Sequence, residues 1–252
     1  MHRSIKLISD LLRSFVQRTI KFFSMDTLEK LFPTDLSALA AFYGSDKWGS
    51  HWYARHYQQH FSPLRWKKLN ILEIGAGGYD DPHKGGASLR MWKRYFPKSN
   101  IYSIDIYDKS ALQEERIKIF KGSQIDSEFI LKVYKEIGEI DIIIDDGSHI
   151  NQHVIESFAI MFPLLKSGGI YVVEDLQTSY WDNFGGSCDL NSPKTSMHLF
   201  KCLVDSLNYE EFPDKNYKPT YFDENIISIH FYHNMVFIYK GTNKEGSNLI
   251  KK

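Results

Sequence analysis

The stretch that decides the fold runs from Asp141 to Trp181 and reads DIIIDDGSHINQHVIESFAIMFPLLKSGGIYVVEDLQTSYW. Near-continuous apolar runs at 140–144 and 170–173 predict strands that are covered on both faces, and the apolar helical face between them predicts a helix. The first strand ends in two aspartates followed closely by a histidine, and the second ends in a Glu-Asp pair. A hydrophobic core does not tolerate this concentration of charge without a use for it, so the stretch predicts an active site.

Upstream of this stretch, short apolar runs alternate with helical patterns. Strands are predicted at 70–74, 101–106 and 116–120, the last of them more exposed. A helix over 86–96 is predicted to stop at a proline, and Asp126 is placed to cap the next helix. Strands that alternate with helices indicate parallel pairing in a doubly wound sheet.

The carboxyl-terminal part of the chain departs from this alternation. Apolar runs at 226–232 and 235–239 flank His233-Asn234, which predicts two antiparallel strands joined by a tight turn. The expected fold class is therefore α/β, with a doubly wound, mostly parallel seven-stranded sheet that is closed by an antiparallel hairpin.

Composition limits the classes of function. Of the 252 residues, 42% are hydrophobic and 25% are charged, which is ordinary for a globular protein. Lys plus Arg and Asp plus Glu number 31 each, so bulk charge gives no indication of a nucleic-acid partner. The two cysteines match no metal-binding spacing, which favours a reducing cytoplasm. We expect one domain over residues 40–243, preceded by a helical extension at 1–39 and followed by a flexible basic tail at 244–252.

The amino-terminal extension contains an amphipathic pattern between Ile5 and Ile20, with basic residues on the other face. Asp10 and Arg13 interrupt what would be the apolar region of a signal peptide, and no apolar window reaches the roughly 20 residues of a membrane span. The helix is expected either to pack on the domain or on a second subunit, or to make peripheral contact with an anionic membrane. We favour packing, because most amphipathic helices bury their apolar face.

A glycine-bearing turn, Glu73-Ile74-Gly75-Ala76-Gly77-Gly78, follows the first strand and precedes a helix. Its glycines allow a sharp turn and a close approach to a ligand, although the same pattern also suits a tight connection without a ligand. The nicotinamide-dinucleotide fingerprint would place glycine or alanine where this chain has Asp80. Asp105 ends the second strand, where it can accept hydrogen bonds from ribose hydroxyls, and Gln124 is placed to edge an adenine. Together these segments predict an adenosine-containing cofactor.

The glycine turn, Asp105 and the closing hairpin resemble the class I methyltransferases that use S-adenosylmethionine. Longer blocks are similar to the catalytic domain of metal-dependent macrolide-sugar O-methyltransferases of the mycinamicin and demethylmacrocin type. These blocks are KWGSHWY at 47–53, GGYDDP at 77–82, GGASLRMW at 85–92, DDGSH at 145–149 and EDLQTSYW at 174–181. The resemblance extends over residues 43–186 and implies S-adenosylmethionine and Mg²⁺ as cofactors. Macrolide members carry an additional amino-terminal domain that helps assembly, and here we expect the short basic helix in its place.

The resemblance implies that Asp146, Glu174 and Asp175 hold the magnesium ion and that His149 is the catalytic base. The positions of these three carboxylates are consistent with a shared metal site. Strands that are neighbours in a doubly wound sheet lie about 4.8 Å apart, so carboxylates at their ends can converge on one ion. Oxygen ligands favour Mg²⁺, Mn²⁺ or Ca²⁺ over zinc. Alternatively, Asp145 or Asp146 caps the following helix and His149 lies on the surface, an interpretation that we keep for Asp145.

Two polar and aromatic segments have open interpretations. Residues 43–57 form either a structural cap or a wall over a ligand, and residues 177–186 form either a lid over the acceptor or a loop that becomes ordered only in an oligomer. The expected cofactor contacts are Lys47, His51, Tyr53, Glu73, Gly75, Gly77, Ser88, Asp105, Gln124 and Asp145, and the expected acceptor contacts are Gln177, Tyr180 and Trp181.

These expectations lead to a first hypothesis of a Mg²⁺-dependent O-methyltransferase that acts on a sugar or glycoside, as a homo-oligomer. The acceptor would be a surface-polysaccharide precursor or a natural product, and within the same class it could be a phosphate-derived or other small-metabolite oxygen. A second hypothesis is a non-catalytic module that binds a cofactor or a partner, which has no need of converging carboxylates. A nicotinamide dehydrogenase is disfavoured by Asp80 and by the terminal hairpin.

Overall fold

The computed structural model describes residues 35–247 of the chain. The amphipathic helix predicted between Ile5 and Ile20 lies outside the described residues, and so do residues 248–252 of the predicted tail. Within residues 35–247, none of the helices combines the length and the apolar character that crossing a membrane requires.

The centre of the described region is a seven-stranded sheet. Its strands are β1 (Asn70–Ile74), β2 (Asn100–Asp105), β3 (Ile117–Lys121), β4 (Ile140–Asp145), β5 (Leu165–Val173), β6 (Ile226–Tyr232) and β7 (Met235–Lys240). Their order across the sheet is β3-β2-β1-β4-β5-β7-β6. The first five pair in parallel, whereas β7 runs antiparallel to both β5 and β6. The predicted fold class and closing hairpin are confirmed.

Helices cover both faces of this sheet. They are α1 (Leu36–Tyr43), α2 (Ala54–Phe61), α3 (Ala87–Tyr95), α4 (Ser127–Ile137), α5 (Asn151–Met161), α6 (Ser196–Ser206) and α7 (Tyr221–Asn225). One core layer contains Tyr57 and Trp92 from α2 and α3, and the other contains Phe158 and Phe200 from α5 and α6. These side chains are fully buried, and each such burial stabilises the fold by roughly 1.5–3 kcal/mol.

Most predicted boundaries agree with the structure within one residue, and the exception is instructive. The strand β5 begins at Leu165 instead of Ile170, because the intervening Lys-Ser-Gly-Gly sequence resembles a turn but continues the strand. A register shift between Ile140 and Ile142 accommodates this irregular start. The predicted cap of α4 is confirmed, since the Asp126 carboxylate accepts a hydrogen bond from the Phe129 amide.

The strand order reverses between β1 and β4. From β1 the chain proceeds outward to β2 and β3, whereas β4 leads in the opposite direction to β5. In open α/β sheets, ligands bind at the carboxyl ends of the strands beside such a switch point. The glycine turn follows β1 at this edge, and the predicted catalytic, metal and acceptor residues follow β4 and β5.

Candidate active site

The glycine turn after β1 is in direct contact with the end of β4. The Asp146 amide donates to the Ile74 carbonyl at 3.1 Å, and the Gly75 amide donates to the Ile104 carbonyl at 2.8 Å. Gly75 has a φ of +92°, and a Cβ at this position would collide with the Asp146 carbonyl oxygen. Only glycine therefore allows the turn to approach the β4 end this closely.

Lys47 lies at the centre of the acidic strand ends. Its side chain is fully buried in the loop between α1 and α2, and its Nζ is 2.7 Å from Asp146 Oδ2 and 2.6 Å from Glu174 Oε1. The same Nζ is 3.2 Å from Glu73 Oε1. One buried ammonium group thus offsets the negative charge at the ends of β1, β4 and β5.

Burial and neighbouring charges together set the protonation of Glu73, Glu174 and Lys47. It raises the pKa of Glu73 to about 7, although the Lys47 ammonium acts in the opposite direction. Burial, together with the Asp146 carboxylate, raises the pKa of Glu174 well above its usual range, against the effect of Lys47 and of the Tyr57 hydroxyl that donates to it. Burial disfavours the Lys47 ammonium, but the neighbouring carboxylates outweigh that effect and raise its pKa. Lys47 therefore remains charged at neutral pH.

Hydrogen-bond donors surround one carboxylate oxygen of Asp175. Its Oδ1 accepts hydrogen bonds from the Tyr53 hydroxyl at 2.7 Å and from Gln177 Nε2 at 3.1 Å, and it lies 3.5 Å from His51 Nδ1. Its Oδ2 lies 3.6 Å from His149 Nε2. Burial acts to raise the Asp175 pKa, but the Tyr53 hydrogen bond and the nearby His149 outweigh it, so the pKa is lowered and the carboxylate is ionised.

A candidate metal site is formed by Asp146, His149 and Asp175. Within residues 35–247, these side chains each offer one ligand atom, and those atoms lie within 4.8 Å of one another. His149 and Asp175 adopt left-handed φ values of +55° and +56°, a strained conformation that is concentrated at functional sites. The oxygens of the two carboxylates are the donors that suit Mg²⁺ or Mn²⁺, so Asp146 and Asp175 fit a hard divalent cation beside the His149 imidazole.

Glu174 is not part of this group, because its Oε1 faces Lys47 and Tyr57. Its role as a metal ligand stays a prediction.

The turn after β1 is braced by polar side chains that were predicted to contact a cofactor. Asp105 accepts hydrogen bonds from the Ala76 and Tyr107 amides at 2.9 and 2.8 Å, and Ser88 Oγ donates to Glu73 Oε2 at 2.9 Å. Gly77 adopts a φ of +73° within the same turn. Positive-φ glycines at the carboxyl end of the first strand are typical of adenosine-cofactor sites, so the turn fits the cofactor expected from the sequence.

Comparison with known proteins relates this chain to sugar O-methyltransferases. No family model matches the chain. The chain is 48% identical over 215 residues to mycinamicin VI 2''-O-methyltransferase of Micromonospora griseorubida, and 48% identical over 215 residues to demethylmacrocin O-methyltransferase of Streptomyces fradiae. Both matches cover 84% of this chain and 54% of the relative, so the chain spans about half the length of these relatives. It is also 47% identical over 209 residues to 8-demethyl-8-alpha-L-rhamnosyl tetracenomycin-C 2'-O-methyltransferase of Streptomyces olivaceus, covering 82% of this chain and 55% of that one.

The structure of the MycE methyltransferase from the mycinamycin biosynthetic pathway, in complex with Mg and SAH, superimposes with a TM-score of 0.83 at 47% identity. The match covers 86% of this chain and 57% of MycE. The chain is a relative of these sugar O-methyltransferases. It has the class I methyltransferase fold, and the resemblance inferred from the sequence motifs is confirmed.

In the present chain, Asp145 faces away from the candidate metal site. Its buried carboxylate accepts from Ser157 Oγ at 2.7 Å and from Gln124 Nε2 at 3.3 Å, and burial raises its pKa to about 6. Helix α5 is preceded by Ile150, which makes no side-chain capping bond, so the interpretation of Asp145 as a helix cap is wrong. Gln124 also accepts from the Ser148 amide at 3.0 Å, and the cofactor roles predicted for both residues stay predictions.

The residues predicted to contact the acceptor divide into two kinds. Tyr180 and Trp181 are 46% and 49% exposed, at short 3₁₀ turns that follow β5, and are therefore available to a ligand. Gln177 is instead bonded to Asp175, as described above. Trp52, which was not among the predicted acceptor contacts, is 48% exposed beside His51.

Tyr57 was also missed by sequence reasoning. Its buried hydroxyl donates to Glu174 from α2, within the aromatic segment 43–57. The density of aromatic and polar residues in that segment was the available signal, but it did not identify which side chains face the carboxylates.

Proposed function

We propose that the chain is a Mg²⁺-dependent O-methyltransferase that transfers the methyl group of S-adenosylmethionine to a sugar hydroxyl of a glycoside. The observation that carries this proposal is the convergence of Asp146, His149 and Asp175 within 4.8 Å beside the glycine turn. The relatives support it, since their names describe O-methyltransferases of the mycinamicin, demethylmacrocin and tetracenomycin series.

The chemistry requires an acceptor oxygen aligned with the sulfonium methyl group, and a sugar hydroxyl is a poor nucleophile while it keeps its proton. Asp146 and Asp175, with Glu174 as the third predicted ligand, would hold the Mg²⁺ ion. When bound, that ion lowers the pKa of the acceptor hydroxyl and fixes its direction. His149 then accepts the hydroxyl proton on Nε2 or Nδ1 as methyl transfer proceeds.

The glycine turn after β1 and two exposed aromatic residues bind and orient the two substrates. The turn containing Gly75 and Gly77 brings the backbone close to the cofactor, and Asp105 braces that turn through the Ala76 amide. The exposed rings of Tyr180 and Trp181 cover one side of the acceptor sugar and reduce the access of water.

The acceptor is proposed to be a natural-product glycoside. The relatives' names refer to macrolide and tetracenomycin compounds, and none of them refers to a surface polysaccharide. The cytoplasmic location, the homo-oligomer and the membrane contact of the amino-terminal helix stay predictions.

The test is methyl transfer from isotopically labelled S-adenosylmethionine to a panel of macrolide and tetracenomycin glycosides with free sugar hydroxyls. We expect labelled product that depends on Mg²⁺ and disappears with a chelator. Calorimetry with S-adenosylhomocysteine separates the alternatives. Absence of binding contradicts the methyltransferase proposal, whereas binding without transfer to any acceptor favours a non-catalytic module.

A further inference from the structure

The segment between α1 and α2 contacts the carboxylates at the ends of β4 and β5. Lys47 reaches Asp146 across 99 positions of the sequence, and Tyr53 reaches Asp175 across 122 positions. The segment is closed by backbone hydrogen bonds, from the Ala54 amide to the Lys47 carbonyl at 3.0 Å and from the His51 amide to the Asp46 carbonyl at 2.9 Å. Its donors are therefore presented by a well-defined loop.

The two oxygens of Asp146 have different environments. Oδ2 is bonded to the buried Lys47 Nζ at 2.7 Å, whereas Oδ1 lies 3.9 Å from His149 Nε2. A carboxylate is planar, so fixing one oxygen also fixes the direction of the other. Lys47 thus turns Oδ1 toward the candidate metal site.

Asp175 repeats the same arrangement. Its Oδ1 accepts from the Tyr53 hydroxyl at 2.7 Å and lies 3.5 Å from His51 Nδ1, while its Oδ2 lies 3.6 Å from His149 Nε2. The His51 and Tyr53 rings stack with centroids 4.8 Å apart, and the Tyr53 side chain is buried. The donor pair is therefore held in place by its own packing.

We propose that Lys47, His51 and Tyr53 are positioning residues of the metal site and do not bind the cofactor. They fix one oxygen of Asp146 and one of Asp175, so that the other oxygens converge beside His149. This proposal rests on the proposed function, and it replaces the cofactor role that the sequence predicted for these residues.

Side chains that hydrogen-bond to a metal ligand orient that ligand and determine how well the site is organised before the ion binds. Their loss typically reduces metal affinity about 10- to 100-fold. A residue that contacts the cofactor instead would change the affinity for S-adenosylhomocysteine, and leave metal binding to the cofactor-free protein unchanged. The two roles therefore give opposite results in two separate binding measurements.

The decisive variant is Tyr53→Phe, which removes a hydroxyl and keeps the buried ring. Mn²⁺ affinity is measured on the full chain by electron paramagnetic resonance, and S-adenosylhomocysteine affinity by calorimetry without metal. We expect the Mn²⁺ dissociation constant to rise about 10- to 100-fold and that of S-adenosylhomocysteine to change less than about twofold. His51→Gln is expected to have a smaller effect, because its contact with Asp175 is longer at 3.5 Å.

The matched control is Tyr239→Phe. It removes another part-buried hydroxyl, which lies 2.7 Å from His60 Nδ1, at a position of β7 that pairs with Ile170 and is distant from the carboxyl end of β5. Neither dissociation constant should change. A thermal unfolding curve for both variants checks that the fold is intact.

Opposite outcomes overturn the inference. If Tyr53→Phe weakens S-adenosylhomocysteine binding and leaves Mn²⁺ binding intact, Tyr53 is a cofactor contact. If neither constant changes, the hydroxyl does not position Asp175. If the wild type binds S-adenosylhomocysteine but does not bind Mn²⁺ at millimolar concentration, the metal site is excluded, and this inference with it. If the wild type binds neither ligand, the proposed function itself is contradicted.

Discussion

His149 has a conformation and a location that suit proton transfer. Its Nε2 lies 3.9 Å from Asp146 Oδ1 and 3.6 Å from Asp175 Oδ2, and its backbone is in the left-handed region. We predict that His149→Ala lowers kcat about 10²- to 10⁴-fold, the usual contribution of a general base, while S-adenosylhomocysteine affinity stays within about twofold. Steady-state kinetics and calorimetry measure the two quantities.

Full activity in His149→Ala would show that another group accepts the proton. Mn²⁺ affinity distinguishes the remaining roles, because His149 also belongs to the candidate metal site. A large loss of Mn²⁺ binding would make the imidazole a ligand, whereas unchanged binding with lost turnover supports a base.

The convergence of Asp146, His149 and Asp175 could be predicted from the sequence, but the side chains that contact them could not. Acidic residues at the ends of two neighbouring strands had to lie together, because parallel strands end at the same edge. The ammonium between them could not be deduced, since Lys47 is separated from Asp146 and Glu174 by 99 and 127 positions. No local pattern encodes such a contact.

At the level of elements, the β1 turn depends on the absence of a side chain at Gly75. A Cβ there would collide with the Asp146 carbonyl oxygen, whereas at Gly44, which has a similar positive φ, nothing lies within 4 Å. We predict that Gly44→Ala costs about 1–2 kcal/mol of the free energy of unfolding, for its left-handed φ alone. Gly75→Ala should cost about 1–3 kcal/mol more, because the backbone must shift, and it should also weaken S-adenosylhomocysteine binding.

Urea unfolding of both variants, with calorimetry, tests this difference. Equal losses of stability with unchanged cofactor binding would show that the turn can move away from β4 without consequence.

Helix α2 is attached to the closing hairpin through a buried histidine. His60 Nδ1 and Nε2 lie 2.7 and 2.8 Å from the hydroxyls of Tyr239 and Tyr232, and its ring stacks on Phe237. Burial, with His230 and His56 adding to it, lowers the pKa of His60 to about 4. The unfolded chain has the ordinary value of 6.5, so between these values it binds more protons than the folded protein.

Stability should therefore fall as the pH drops from about 6.5 to about 4, by on the order of 2 kcal/mol from this residue. The measurement is urea unfolding across this range for the wild type and for His60→Gln, which has no titrating ring. The other groups contribute equally to both proteins. An identical pH dependence in the two would contradict the assignment to His60.

Strands could be predicted from the sequence where both of their faces are buried. The β4 and β7 sequences are near-continuous apolar runs because both faces of these strands are covered, and the His233-Asn234 turn is marked by the left-handed Asn234, with a φ of +63°. The start of β5 was missed, because Gly168 and Gly169 are typical of a turn. There the sheet imposes strand geometry on residues that have little preference for it.

For the molecule as a whole, the position of Lys47 decides how metal removal affects the fold. Its ammonium contacts Asp146 and Glu174 in the buried site, so the carboxylates are partly neutralised without a metal ion. We predict that a chelator abolishes turnover but leaves the protein folded. Removing a metal ion that was present at ten times its dissociation constant lowers the free energy of unfolding by about 1.4 kcal/mol. For a chain of this size, that lowers Tm by about 3–6 °C.

The complementary variant is Lys47→Met, which leaves buried carboxylates without their counter-ion. Removing one partner of a buried ion pair costs about 3–5 kcal/mol, so the metal-free variant should unfold well below the metal-free wild type. Added Mg²⁺ should recover part of this loss, because it restores positive charge at the same carboxylates. Lys118→Met is the matched control, since its pair with Glu136 is half exposed and such pairs contribute at most about 1 kcal/mol. Thermal unfolding of the wild type and both variants, with and without chelator, is followed by circular dichroism. Unfolding of the wild type by chelator alone would show that the metal, and not Lys47, holds the strand ends together.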